Sequence, residues 1–541
     1  MSKRMIAIFS IFCVLMSLLN VRVATLTASE ELKETALNQR SYTLTVGKTR
    51  GQIYDRSFKS LVNTESTTVS AVLPQPETTA GLLDAVEEAE RDTLYQSIKQ
   101  GRPFLTDLLP KDTKADGVLP VEVAKRYGGD QIASHIIGYV DGEGKGVAGI
   151  EKAYDDFLSQ AGETIEVNYT LNGLGEALKT DNTAVKKSGD AESGVVLTID
   201  REIQAVCENI GSKMIGQGAV VVMEPSTGKL LACASFPEYD PNDIAASLEK
   251  DGGPLLNRCF SAFPVGSTFK TVLSAAALES GIPASLSYDC TGLIDVSGQL
   301  FHCHILSGHG TVDMRKAMIE SCNPYYVSLG LELGPEKILE FASNLSFGRQ
   351  TELADGLFTS AGILPDAGEL VNPAAVANLS FGQGRMLATP IQLCQMTSSV
   401  VNGGRTPIAQ LVEGITRDGE TLSEVKEGSA PLYAMSEETA QTLRTFLEAC
   451  VEEKENMKAK PTRVSAAGKT GTAQTGRFDE AGVEKLDAWF AGYFPAESPR
   501  YAVAVVVEDG KTGNASAGPV FAEIADQLTL LEEIREELGT R

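Results

Sequence analysis

The chain has 541 residues, 43% of them hydrophobic, which is too long for one ordinary domain and apolar enough for two or three sizeable cores. Its 47 Lys and Arg stand against 72 Asp and Glu, a formal charge of −25. That balance excludes nucleic acid and anionic membrane surfaces as electrostatic partners.

Lys3 and Arg4 precede an apolar run from Met5 to Leu19, and polar residues return at Asn20 and Arg22. The run is short of the roughly 20 residues of a spanning helix, but Val21, Val23 and Ala24 extend it if Arg22 snorkels. Leu26-Thr27-Ala28 is a poor cleavage site, where small residues are expected. Residues 1–28 therefore read as a cytoplasmic stub and an uncleaved, single-pass signal-anchor in the cell membrane. The two basic residues face the cytoplasm and the bulk of the chain is extracytoplasmic. Of nine cysteines only Cys13 falls in the anchor, and disulfides are permitted beyond it. Cys290 and Cys303, bracketing a Gly-containing turn, are the expected pair. The other cysteines sit in apolar runs and read as small buried hydrophobes.

Glu30 to about Arg40 reads as a stalk helix and Tyr42 to Val46 alternates like a strand. From there to residue 178 short strands mix with acidic helices, for example around Leu82 to Ala89. A polar stretch, 179–193, reads as a linker. Val195 to Asp200 is a strand, with Asp200 placed to cap a helix from Glu202 to Met214. Gly218–Met223 and Leu230–Ser235 flank a Pro- and Gly-containing turn and read as a hairpin. Ala488–Phe494 and Tyr501–Val507 are two further strands, and Pro519–Leu538 is helical. With a helical insertion between Phe269 and about Val401, residues 194–541 read as one layered α/β (α+β) domain, an antiparallel sheet flanked by helices.

Three short segments within it carry chemistry: Ser267-Thr268-Phe269-Lys270, Ser321-Cys322-Asn323 and Lys469-Thr470-Gly471-Thr472. Ser-x-x-Lys recurs at Ser247 and Ser423, and Lys-Thr-Gly at Lys511, but these copies sit among acidic or turn residues and read as solvated. Ser267 instead follows the turn Pro264-Val265-Gly266 and opens a helix that is apolar on nearly every side. Lys270, three residues on, shares its face. Lys469 lies between small residues that let a ligand rest against a strand.

A serine hydroxyl needs a base, and no histidine lies near Ser267 in sequence. Lys270 is the candidate base; burial and a second cation, Lys469, would lower its pKa. Ser321 could relay a proton to a leaving amine and Asn323 could hold a substrate amide. Thr470 and Thr472, beside Gly471, could grip a carboxylate. The backbone N–H groups of Ser267 and Thr472 would form an oxyanion hole. His302-Cys303-His304 lacks a third ligand and an acidic partner, so neither a metal nor a cofactor is expected.

These segments resemble the class B penicillin-binding proteins, the peptidoglycan D,D-transpeptidases. Arg50-Gly51-x-x-x-Asp55-Arg56, His135-Ile136-Ile137-Gly138-Tyr139 and Gly149-Ile150-Glu151-Lys152-Ala153-Tyr154 are similar to that family's pedestal elements, placing a pedestal domain over 29–178. Asn257-Arg258, Phe381-Gly382-Gln383-Gly384, Thr389-Pro390-Ile391-Gln392-Leu393 and Trp489-Phe490-x-Gly492-Tyr493 are similar to segments of its transpeptidase domain. Ser267, Lys270, Ser321, Asn323 and Lys469 match its catalytic motifs, with Cys322 departing from the Ser-Asp-Asn form. The resemblance implies attack of Ser267 on a D-alanyl-D-alanine stem peptide, release of D-alanine and transfer to a neighbouring amine. It also implies acylation by β-lactams and, as partners, a polytopic membrane glycan polymerase and other divisome or elongasome proteins. Two enzymatic alternatives stay open: a β-lactam-hydrolysing enzyme, with Glu369 as the candidate carboxylate, and a D,D-carboxypeptidase using water as acceptor. A non-catalytic scaffold is a third.

Overall fold

In a computed structural model, residues 3–28, 41–170 and 184–539 are described. The expected stalk helix lies outside them, as does the first part of the expected linker.

Lys3–Ala28 is one helix of 26 residues, about 39 Å at 1.5 Å per residue, longer than the roughly 30 Å of a bilayer's apolar core. Its apolar side chains are exposed throughout, as a lipid-facing helix requires.

Contacts divide the chain into two compact units. The first comprises residues 1–50, 64–126 and 162–191. Here Ser41–Lys48, Gly162–Thr170 and Ala184–Asp190 form one antiparallel sheet, and Phe104–Thr106, Glu65–Val72 and Val118–Lys125 another. Val46, Ala71, Val121, Ile165 and Val167 fill its core. Ala184–Asp190, read as linker, is thus a strand.

The second unit takes in residues 51–63, 127–161 and 192–541. Two segments read as pedestal therefore pack with the C-terminal half, and buried polar groups explain why. Asp55 is 2% exposed; its carboxylate accepts the N–H groups of Ser57 and Lys59, both at 2.8 Å, and of Arg201 at 3.2 Å. Gln52–Tyr54 pairs in parallel with Gly194–Leu197. His135 Nε2 lies 2.6 Å from the Pro254 carbonyl, and Asn257 Nδ2 donates to the His135 carbonyl.

The centre of this unit is a five-stranded sheet of β1 (Gly218–Met223), β2 (Leu230–Phe236), β3 (Ala467–Phe478), β4 (Glu484–Phe494) and β5 (Tyr501–Gly510). The order is β2-β1-β5-β4-β3, every pair antiparallel. Both faces are covered, so β1, β2 and the buried parts of β4 and β5 are apolar with little interruption and alternate between two cores, while the edge strand β3 is polar. Val220, Val222, Phe490, Val503 and Val505 meet α1 (Arg201–Met214) and the C-terminal helix Gly518–Leu538. Val221, Trp489, Ala504 and Val506 meet α2 (Lys270–Glu279), α3 (Met314–Glu320), α4 (Asn323–Leu333), α5 (Pro390–Val401) and α6 (Glu437–Glu452). Asp200 caps α1 as expected, accepting from the Glu202 and Ile203 N–H groups. The insertion, expected to be helical, also carries short strand pairs, among them Tyr288–Cys290 with Gly310–Val312 and Leu293–Val296 with Gln299–His302. Strands of three or four residues are too short to show a period.

Candidate active site

Ser267 stands in a 3₁₀ turn, Gly266–Phe269, that runs directly into α2. Trp489 Nε1 holds the approach to it by donating to the Pro264 carbonyl at 2.7 Å. Gly266 has φ +56, and a Cβ there would fall 2.5 Å from the Thr472 carbonyl oxygen. Only glycine therefore lets the turn lie against β3. Its N–H donates to the Gly382 carbonyl at 2.9 Å. The Ser-x-x-Lys pair is thereby split by environment. Ser267 is half-buried, whereas Lys270 is fully buried.

The Lys270 amine lies 2.8 Å from the Ser321 carbonyl oxygen, 3.0 Å from Ser321 Oγ and 2.7 Å from Asn323 Oδ1. Ser321 closes α3 in the left-handed region at φ +53. This conformation costs a non-glycine residue about 1–2 kcal/mol, and it presents carbonyl and hydroxyl together to Lys270. Among the described residues no carboxylate lies within ion-pair distance of this amine. Burial first, and then the charge of Lys469, hold Lys270 well below the ordinary lysine range. The cradle serves both protonation states. An ammonium donates to all three oxygens. A neutral amine donates to the carbonyl and the amide and accepts from the Ser321 hydroxyl, which can turn.

Lys469 is 2% exposed; its amine lies 3.3 Å from the Thr470 carbonyl and 3.5 Å from Thr470 Oγ1. Burial lowers its pKa to about 8. β3 is an edge strand, and Gln383 bridges that edge: its Nε2 donates to the Thr472 carbonyl and its Oε1 accepts the Gln474 N–H. In a strand the N–H and C=O of one residue leave by the same edge. The Thr472 N–H therefore projects beside Gly266 and Ser267, not toward β4.

The structure gives several of the singled-out residues protein partners. Asn323 Nδ2, assigned to a substrate amide, donates to the His302 carbonyl. Thr472 Oγ1 accepts the N–H of Gly513. The Lys511-Thr512-Gly513 copy, read as a solvated turn, thus packs its glycine against the motif it imitates: a Cβ on Gly513 would meet the Gly471 carbonyl at 2.3 Å. Ser247 is buried and donates to the Asp243 carbonyl. Glu369 is engaged by Arg385 and by the Asp366 N–H. Cys290 and Cys303, expected as a disulfide, are free thiols, and Cys303 groups with Cys290, Cys322 and His309, with His304 Nδ1 4.0 Å from its sulfur.

Two contributors escaped sequence reading. The Tyr326 ring lies 5.4 Å from the Lys270 amine, and its hydroxyl is 2.8 Å from Ser274 Oγ; its position three residues after Asn323 was the available signal. Lys454, whose amine donates to the Ile319 carbonyl at 3.0 Å, adds positive potential that lowers both Lys270 and Lys469. Nothing in its local sequence marks it.

A three-layer domain with a serine opening a buried helix, a buried lysine three residues on and a lysine-bearing edge strand has the parts of a serine acyl-transfer site. The family described as "Penicillin binding protein transpeptidase domain" matches residues 218–526, and the chain belongs to it. The chain is 30% identical to stage V sporulation protein D of Bacillus subtilis, over 95% of this chain and 82% of that one. It is 33% identical to the peptidoglycan D,D-transpeptidase PbpA of Mycolicibacterium smegmatis, over 59% and 67%. The structure of penicillin-binding protein PBP2 in complex with MreC from Helicobacter pylori has the same fold, with TM-score 0.67 and 23% identity over 91% and 99% of the two chains.

Proposed function

We propose that this chain is a membrane-anchored peptidoglycan D,D-transpeptidase. The observation that carries the reading is the Lys270 amine, buried, without a carboxylate partner among the described residues, and one turn from a half-exposed serine. Neutral Lys270 takes the Ser267 proton as Oγ attacks the penultimate D-alanyl carbonyl. The N–H groups of Ser267 and Thr472 hold the oxyanion, each such donor typically worth about 3–4 kcal/mol. Ser321 passes the proton from Lys270 to the leaving D-alanine nitrogen, and Lys469 with Thr470 holds its carboxylate. The Ser267 ester is then taken by an amine of a neighbouring stem peptide. β-Lactams present the same carboxylate and a reactive carbonyl, so they acylate the same oxygen.

The helix Lys3–Ala28 supports a single-pass anchor with the catalytic unit outside the cytoplasm, working beside a polytopic glycan polymerase and other wall-synthesis proteins. With Glu369 taken up by Arg385, the lactam-hydrolysing alternative loses its candidate for activating water. The test is to incubate the full chain with a stem pentapeptide and an amine acceptor. D-Alanine release with formation of the amide product is expected, and neither with Ser267→Ala. Release of D-alanine with water as the sole acceptor would replace transpeptidation by carboxypeptidation.

A further inference from the structure

The three oxygens around the Lys270 amine, at 2.8, 3.0 and 2.7 Å, come from the Ser321 carbonyl, the Ser321 hydroxyl and the Asn323 amide. An ammonium has three N–H groups, so these acceptors engage all of them. Tyr326 is a fourth neighbour of a different kind, its ring centroid 5.4 Å from the amine that lies over it. A ring face attracts a cation through its quadrupole and requires no hydrogen from it. It therefore adds to an ammonium whose donors are already taken.

The ring is held in place by three helices. Tyr326 stands three residues after Asn323 on α4, and ring and amine are both fully buried. Ser274 lies four residues after Lys270, on the same face of α2, with its Oγ 2.8 Å from the Tyr326 hydroxyl. That hydroxyl is also 3.6 Å from Met318 Sδ on α3. The Tyr325 ring packs edge-to-face against Tyr326, with 5.4 Å between centroids. Burial holds the phenol's pKa well above its ordinary value, so Tyr326 contributes a neutral ring and no phenolate. The charges that reach Lys270 are those of Lys469 and Lys454, which oppose its protonation, and of the Cys322 and Cys303 thiols, which favour it. Its own charge reaches His304 and His309.

The oxygens serve amine and ammonium alike, whereas the negative face of the ring attracts only the charged form. We propose that the Tyr326 ring stabilises the ammonium that Lys270 becomes on taking up a proton, which makes Tyr326 a positioning residue acting through Lys270. Its part in acylation rests on the transpeptidase reading. There Lys270 is neutral at the start and gains charge as Ser267 Oγ attacks. A group that favours the charged form contributes more in the transition state than in the ground state, and so raises the rate. The ring also offsets part of the effect of burial and of Lys469, keeping the amine a stronger base than it would otherwise be.

The experiment titrates Lys270 itself, in the full-length chain purified in detergent and labelled with lysine carrying carbon-13 at Cε. The Lys270 resonance is the one lost in Lys270→Met. Tyr326→Phe removes the hydroxyl and keeps the ring, so the midpoint should stay within about 0.3 pH unit of the parent. Trifluorophenylalanine in place of Tyr326, fluorinated at the three outer ring carbons, keeps the shape of the ring and strips the negative charge from its face. The midpoint should then fall by about one pH unit, the size of a desolvated cation–π contact. An unchanged midpoint in the fluorinated chain, or an equal fall in Tyr326→Phe, overturns the proposal; both are read without any activity. Penicillin acylation at neutral pH should be about 3- to 10-fold slower in the fluorinated chain than in Tyr326→Phe. Equal acylation by the two would show that the ring's charge has no part in the proton transfer.

Discussion

At the scale of residues, the proposed chemistry rests on an amine kept out of water. Lys270 receives the Ser321 carbonyl, the Ser321 hydroxyl and the Asn323 amide oxygen as hydrogen-bond acceptors. Lys270→Met keeps the length and apolarity of the stem and removes the base. Penicillin acylation should fall by about 10²–10⁴ with the circular dichroism spectrum unchanged, and a rate within threefold of the parent would remove Lys270 from the chemistry. The two lysines also set a pH window. In the proposed mechanism Lys270 acts only when neutral, and its pKa, held well below the ordinary lysine range, makes that form more available than in a free lysine; acidification through that pKa protonates it and the rate falls. Lys469 acts only when charged, and its pKa near 8 means that the rate for free enzyme falls again as pH rises through that value. The profile of the second-order acylation constant should be a bell, since it reports the free enzyme. In Lys469→Arg, whose guanidinium keeps its charge, the alkaline limb near 8 should vanish. That Ser267 and Lys270 stand on one continuous turn-to-helix segment was legible, because a three-residue spacing on a helix is a geometric statement. Ser321's left-handed backbone, Tyr326 and Lys454 were not, because each reaches the amine through tertiary packing that no local pattern records.

At the scale of elements, catalysis depends on how closely the turn before α2 approaches β3. Gly266 decides that approach. Gly266→Ala must both hold a left-handed φ and push the Thr472 carbonyl away, whereas Gly281→Ala has a similar φ of +81 with nothing within 4 Å of its Cβ. The Gly281 variant should lose only the strain, about 1–2 kcal/mol, measured as a lowered midpoint in urea, and keep its acylation rate. The Gly266 variant should lose acylation by on the order of 10²-fold or more. Equal rates in the two would mean that the oxyanion donors do not depend on this contact. The sheet, its hairpin, α1 with its Asp200 cap and the final helix were readable from apolar runs and capping chemistry. The short strands between residues 288 and 312 were not, and with them went the sulfur cluster, whose members are separated in sequence and joined only by backbone pairing. In the Lys511 copy of the third motif, Lys511 and Thr512 are solvated as read, but Gly513 is buried and packs on Gly471 and Trp489.

At the scale of the molecule, a chain of net charge −25 brings Lys270, Lys469 and Lys454 close enough for their charges to lower the pKa of Lys270 and Lys469, a local reversal of sign that favours an anionic ligand. The catalytic unit carries its own cores, apart from the anchor helix. Removing residues 1–28 should therefore release the protein from membranes into the soluble fraction while leaving the acylation constant unchanged; a lost acylation activity would show that the helix supports the site. The long apolar N-terminal helix was plain from hydropathy, but the division of the first half was not. Segments such as Gly51–Asn63 join the C-terminal half through a buried carboxylate and a parallel strand pair, which composition does not reveal. The most direct test is intact-mass analysis of the full chain after benzylpenicillin, followed by peptide mapping. One adduct per chain is expected, on Ser267, absent in Ser267→Ala and persisting for minutes or longer after free drug is removed. An adduct on another residue, or none at saturating drug with folded protein, would contradict the assignment of Ser267 as the acylated oxygen.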